Sequence, residues 1–195
     1  SLANLDTQNV VSMASMLSTC TSLSSFDLSV LTTTNVESMQ FMFSSCTALE
    51  TITLGNNTSN VNDMQSMFAG CAKLKEISLS SFVASKVIYM QNMFNGCKSL
   101  TRIDLSPLES KDANGATVST TANVRNMASM FNGCTGLSTL IIPLNTTSVT
   151  SMNSMFMNCG NANTVTSTTP VVGNLTELDL TTFNTGQVDS LNLGN

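Results

Sequence analysis

Apolar residues recur along the chain with a period of about 25 or 26 residues. Each unit opens with the pattern Val-x-x-Met-x-x-Met-Phe-x-x-Cys and continues with Leu-x-x-[Ile/Phe/Leu]-x-Leu. The openings begin at Val10, Val36, Val61, Val87, Val124 and Val149. A repeat of this length predicts a solenoid, because stacked units can bury a continuous core that no single unit could close.

The two halves of the unit predict different local structures. The apolar residues of the opening are spaced so that they would lie on one face of a helix, which predicts a helix of about two or three turns. Helix-capping residues support it: asparagine precedes four of the valines, and glycine precedes three of the cysteines. These residues are Asn9, Asn35, Asn60, Asn123, Gly70, Gly96 and Gly133. A segment built of turns is the open alternative. The second half alternates like a strand and predicts one short parallel strand per coil.

Methionine and cysteine each occupy fixed positions in the unit. All but one of the 13 methionines fall in two columns, which include Met90 and Met93. A methionine stripe at this spacing favours core packing over a metal or peptide site, which would need exposure. The six cysteines share one inward position, about 5 Å apart in adjacent coils. Disulfides between neighbours are conceivable, but buried free thiols are favoured.

Composition excludes several classes of function. Hydrophobic residues make up 42% of the 195 residues, which argues against wholesale disorder. The net charge of −5 provides no basic surface for nucleic acid. No apolar run approaches the roughly 18 residues of a membrane span, so we expect no membrane insertion within this fragment.

The residues that most enzymes and metal sites require are missing. The chain has no histidine, no CxxC pair and no glycine-rich phosphate loop. Its carboxylates are predicted on the strands of separate repeats, where a solvated rim explains them better than an acid–base pair. We therefore expect no enzymatic activity, no cofactor and no metal site.

Two insertions interrupt the period. One lies within residues 107–122, after the strand of its repeat, and the other lies within 160–174, before the strand of its repeat. We expect them to emerge on opposite edges of the sheet as surface loops. With these insertions, residues 1–195 form a single solenoid of about six to seven repeats. The chain begins and stops partway through a repeat, which favours a piece of a longer protein.

Strand residues that point away from the core form the candidate binding face. They are Asp27, Thr51, Thr53, Glu76, Ser78, Arg102, Asp104, Thr139, Ile141, Glu177 and Asp179. A partner-binding surface and a merely solvated polar sheet are equally open for this face. Glu76 and Arg102 occupy equivalent positions in adjacent repeats, which favours a surface ion pair between them.

The repeat resembles the BspA-like branch of leucine-rich repeats, found in bacterial and some protist surface proteins. The likeness rests on LTRIDLS at 100–106, LTELDLTTFNTGQV at 175–188 and VRNMASMFNGC at 124–134. These segments are similar to the family spelling LxxLDLSxFxTxxVxxMxxMFxxCxx. The first unit departs from it at Leu17, where the family has phenylalanine. The last coil lacks the Met-Phe pair and the cysteine.

The resemblance implies an α/β fold: a right-handed leucine-rich-repeat solenoid with one short parallel strand per coil and a helix or turn segment on the convex side. It implies a secreted or cell-surface module that binds a host or neighbouring-cell protein or glycan, and we expect the chain to be a monomer. A structural stalk that holds another domain away from the cell is the alternative. Ice binding is a weaker hypothesis, because the threonine positions are irregular between repeats.

Overall fold

Short strands lie on one side of the coils, and runs of turns lie on the other side. The computed structural model describes residues 5–54, 57–80, 82–105, 110–111, 117–118, 121, 123–141, 146–159 and 177–178. Strand β1 (Ser25–Asp27) pairs in parallel with β2 (Thr51–Thr53). Strand β3 (Arg102–Asp104) pairs in parallel with β6 (Thr139–Ile141), and β6 pairs with β7 (Glu177–Leu178). The predicted short parallel strands are therefore confirmed, except in the coil that opens at Val61, whose segment 76–78 contains no strand.

The opposite side consists of turns, which is the alternative that the sequence left open, so the predicted helix is wrong. In the coil that opens at Val36, the Met42 N–H donates to the Met39 carbonyl and the Cys46 N–H donates to the Phe43 carbonyl. These bonds close successive β-turns, and the third residue of each turn has a positive φ, 56° at Phe41 and 60° at Ser45. The described residues contain a single helix, the 3-10 helix Leu28–Val30 that follows β1.

Hydrogen bonding between coils explains why turns replace the helix. Every second backbone N–H of the opening donates to a backbone carbonyl of the next coil. Met39 donates to Asp63, Phe41 to Gln65 and Phe43 to Met67, at 2.9–3.0 Å. An α-helix would direct these N–H groups along its own axis. Isolated parallel bridges continue the ladder through six coils, at Ser12, Ser38, Asp63, Tyr89, Asn126 and Ser151. We call this side the turn face.

The predicted capping residues serve the turns instead. The Asn35 side chain donates to the Gln8 carbonyl and the Asn60 side chain to the Thr34 carbonyl, both at 2.7 Å. Each asparagine therefore joins its coil to the one before it. The glycines have the left-handed conformation that was predicted, with φ of +73° at Gly96, but at a turn rather than at a helix end.

Stacked phenylalanines form the centre of the core. The rings of Phe43, Phe68, Phe94, Phe131 and Phe156 follow one another at centroid distances of 5.6–5.8 Å. Their planes differ by at most 7°, because each ring sits at the same position of successive coils. The methionine columns flank this stack, and Met90 and Met93 are buried, as expected for core residues.

A column of buried threonines, which the sequence interpretation missed, joins adjacent coils. It lies three residues before the valine of each opening and consists of Thr7, Thr33, Thr58, Thr121 and Thr146, with Ala84 in the remaining coil. The Thr58 hydroxyl donates to the Val83 carbonyl at 3.2 Å and accepts from the Val83 N–H at 2.8 Å. One buried hydroxyl thus satisfies both backbone groups of a residue in the next coil.

Replacing Thr58 by valine is expected to lower the free energy of unfolding by about 1–3 kcal/mol, because two backbone groups lose their partner. Urea unfolding followed by circular dichroism measures the loss. Thr58→Ser keeps the hydroxyl and serves as the matched control, which should lose clearly less. Equal losses in the two variants would show that the hydroxyl contributes nothing.

The first insertion leaves the stacking intact. Within it, β4 (Ser110–Lys111) and β5 (Thr117–Val118) pair in antiparallel fashion. Arg102 of β3 nevertheless stands in register with Thr139 of β6 across the insertion. The second insertion, within 160–174, lies outside the described residues. In the described part of the chain, no helix is long and apolar enough to cross a bilayer.

Candidate binding face

The outward side chains of the strands lie on one surface, which we call the strand face. Thr51 and Thr53 are exposed on either side of Ile52, as alternation along β2 requires. Arg102 is exposed and Asp104 is half-buried on either side of the fully buried Ile103. Glu76 and Ser78 are exposed on either side of Ile77, which is only 9% exposed. The structure therefore places these six predicted residues on one face.

The sheet under this face is interrupted at residues 76–78. The parallel strands form two groups, β1–β2 and β3–β6–β7, and no backbone hydrogen bond joins the described segment 76–78 to β2 or to β3. The preceding backbone is still linked, since the Thr101 N–H donates to the Lys75 carbonyl at 3.2 Å. The Ser78 hydroxyl bonds to the Ser80 hydroxyl at 3.0 Å, a local contact of the kind that competes with strand pairing.

This interruption coincides with a hollow of about 450 Å³ in the strand face. Ile52, Ile77 and Leu79 supply its apolar lining, and the other lining residues are polar or charged. The polar residues, all of which belong to the predicted face, are Thr51, Glu76, Ser78, Arg102 and Asp104. We call this site the strand-face hollow. It is large enough to receive a side chain or a small ligand fragment.

Charges around the hollow are paired differently from the prediction. The Arg102 guanidinium lies 3.3 Å from the Asp104 carboxylate of the same strand, so the predicted pairing of Arg102 with Glu76 is wrong. The Lys75 ammonium lies 3.2 Å from the Glu50 carboxylate of the preceding coil. Among the described residues, Glu76 forms no ion pair. Its exposed carboxylate is therefore the one charge lining the hollow that no described side chain neutralises.

The remaining candidates lie outside the hollow. Asp27 is exposed, but its carboxylate accepts from the Ser29 N–H at 2.9 Å and caps the 3-10 helix. Thr139 and Ile141 are half-buried in β6, next to Arg102 and Asp104 in register. Glu177 lies in β7, where the backbone is described but its side chain is not, and Asp179 lies outside the described residues.

Five of the six cysteines are buried beneath the surface. All six are free; Cys20 is half-buried and the others are buried. Each of the five buried thiols donates to a carbonyl of the preceding coil, as Cys97 does to Phe68 at 3.2 Å. Burial raises the pKa of Cys71 and of Cys159 to about 12, and raises the pKa of Cys46, Cys97 and Cys134 as well. Since the thiolate is the nucleophile, these groups are unsuited to covalent chemistry. In the described part of the chain, no three or more acidic or cysteine side chains are placed to hold a metal ion.

A stack of coils with short parallel strands on one side and turns on the other defines a leucine-rich-repeat solenoid. The fold is similar to the crystal structure of a leucine-rich repeat protein from Bacteroides ovatus ATCC 8483, with a TM-score of 0.51 and 20% sequence identity. The match covers 77% of this chain and 33% of that one, so this chain spans well under half of that protein.

The chain belongs to the family described as "Mycoplasma protein of unknown function, DUF285", whose matches cover residues 1–54, 21–118 and 109–193. Two further crystal structures share 23% and 19% identity, with TM-scores of 0.40 and 0.41. They are a leucine rich cell surface protein from Faecalibacterium prausnitzii A2-165 (61% of this chain, 26% of that one) and a leucine rich repeat protein from T. pallidum (76% and 69%). None of the curated proteins compared with the chain matches it.

Proposed function

We propose that this chain is a non-enzymatic, extracellular binding module that contacts a protein or a glycan through its strand face. The strand-face hollow is the observation that carries the proposal, because it brings five of the predicted face residues around one concavity. Binding sites typically combine such a concavity with an apolar lining and a few polar groups. The extracellular location rests on the resemblance of the repeat to BspA-like surface proteins.

The proposal is tested by screening the purified chain against extracellular-matrix proteins and a glycan array. The variant Thr53→Lys with Arg102→Glu changes the strand face at exposed positions, so the fold should persist. We expect a saturable partner whose affinity changes at least about 10-fold in this variant, since the substitutions reverse one charge and add another within the interface.

A matched control places the same substitutions elsewhere. Thr47→Lys with Arg125→Glu makes an identical change in charge at exposed positions outside the strands. This control should bind like the unmodified chain. Equal losses in both variants would place binding outside the strand face. If the folded chain binds nothing, the stalk hypothesis is favoured, in which the solenoid spaces another part of a longer protein.

A further inference from the structure

We propose that the strand-face hollow receives a lysine or arginine side chain of a protein partner. This inference rests on the proposed function and narrows its ligand to a protein that presents a basic residue. Glu76 supplies the first argument. It is exposed at the hollow, and among the described residues it has no ion-pair partner. A partner cation would complete a charge pair that the chain itself leaves open.

The neighbouring charges leave Glu76 available. Arg102, the only cation among the described residues that line the hollow, is held by Asp104 at 3.3 Å. The nearest lysine in sequence, Lys75, points its ammonium to Glu50 at 3.2 Å. The hollow therefore carries an excess of one carboxylate on a chain whose net charge is −5. Both the local and the overall charge favour a basic partner over an acidic one.

The apolar lining and the interrupted backbone fit the rest of such a side chain. Half-buried Ile52 offers apolar surface on which the methylene stem can pack, above the largely buried Ile77 and Leu79. The backbone of residues 76–78 has no ladder partner in β2 or β3, so both its N–H and its C=O groups remain open to a ligand. An ammonium or guanidinium group carries several N–H donors and no acceptor, so it can bond to the Glu76 carboxylate while its stem lies in the hollow.

The test is a titration of the ¹⁵N-labelled full chain with Nα-acetyl-lysine amide, followed by NMR. Nα-acetyl-norleucine amide has the same apolar stem without the charge. We expect saturable shifts at the amides of residues 76–78 and 102–104, with dissociation constants in the range of about 1–10 mM for one side chain. The norleucine compound should bind at least about 10-fold more weakly, because it lacks the charge-assisted hydrogen bond.

Variants separate the charge of Glu76 from the net charge of the chain. Glu76→Gln should weaken lysine-amide binding about 5- to 10-fold, whereas Glu37→Gln removes the same charge at an exposed residue of the turn face and should not. Both variants should unfold at the urea concentration of the unmodified chain. Equal binding of the lysine and norleucine compounds, or equal loss in both variants, would overturn the proposal. So would a methyl glucoside that shifts these amides while lysine amide does not.

The two proposals fail separately. A protein or glycan that binds the strand face while lysine amide leaves the hollow unchanged would keep the proposed function and reject the basic side chain. Lysine-amide binding that depends on Glu76, in a chain that captures no protein or glycan, would keep the hollow's chemistry and reject the proposed function.

Discussion

Raising the pH above about 9 is expected to unfold this chain steeply, because its core contains thiols that ionise readily only in the unfolded state. Burial raises the pKa of Cys71 and Cys159 from the ordinary value of 9.0 to about 12, and raises that of Cys97 and Cys134 as well. Because the folded-state pKa of each thiol lies above its unfolded value, the protonated thiol makes its full contribution to stability below pH 9. It is lost as the pH rises toward 12.

The expected loss of folding stability at high pH follows from the number of buried thiols. Each one lowers the free energy of unfolding by about 1.4 kcal/mol per pH unit in this window, since the folded state binds the extra proton. Together, these four would remove the 5–15 kcal/mol that is typical of a folded domain within roughly one to three pH units. Urea unfolding in reducing buffer from pH 7 to 11 measures the slope of stability against pH. In separate samples freed of reductant, thiol reagents report the exposure of the cysteines.

Two variants isolate the thiol contribution. Cys97→Ala should flatten the dependence of stability on pH by about 1.4 kcal/mol per unit, because one buried thiol is removed. Met93→Leu alters a buried, non-ionisable residue in the same coil and should leave the slope unchanged. Identical slopes for Cys97→Ala and the unmodified chain would show that ionisation of this thiol does not govern alkaline unfolding.

The period and the core could be predicted from the sequence because each core column repeats the same residue type. The local structure of the openings could not be predicted, because their apolar residues lie 3, 6, 7 and 10 positions after the valine. This spacing fits both a helix face and two successive β-turns. Hydrogen bonds to the next coil decide between them, and they are non-local. The asparagines show the same limit: Asn60 suits a helix cap, but its side chain bonds to the preceding coil.

The candidate face was predicted, but the hollow was not. Leu74, Ile77 and Leu79 carry the same strand pattern as Leu100, Ile103 and Leu105, yet only the latter segment contains a strand. The interruption arises where Ser78 bonds to Ser80, a contact that the repeat pattern does not encode. Thr58 illustrates the opposite case. Threonine recurs three residues before five of the six opening valines, so the sequence alone could have predicted the column of buried threonines.

Removing one ring from the phenylalanine stack is expected to lower the free energy of unfolding by about 3–5 kcal/mol, as for other buried phenylalanines. Phe94 is fully buried between Phe68 at 5.7 Å and Phe131 at 5.8 Å, so Phe94→Ala opens a cavity at two interfaces between coils. Since coils are stabilised by their neighbours, the loss should divide the array into two weaker halves.

The first coil provides the control for this prediction. Leu17 occupies the position of the ring there, so Phe94→Leu tests a side chain that the repeat already accommodates. We expect it to cost less than about 1.5 kcal/mol, because most of the packing volume remains. Urea unfolding measures both variants. Reaction of Cys134 with a thiol reagent reports local opening, because its thiol donates to the Phe94 carbonyl at 3.1 Å. If the alanine and leucine variants unfold at the same urea concentration, the stacked ring does not stabilise the array through its packing.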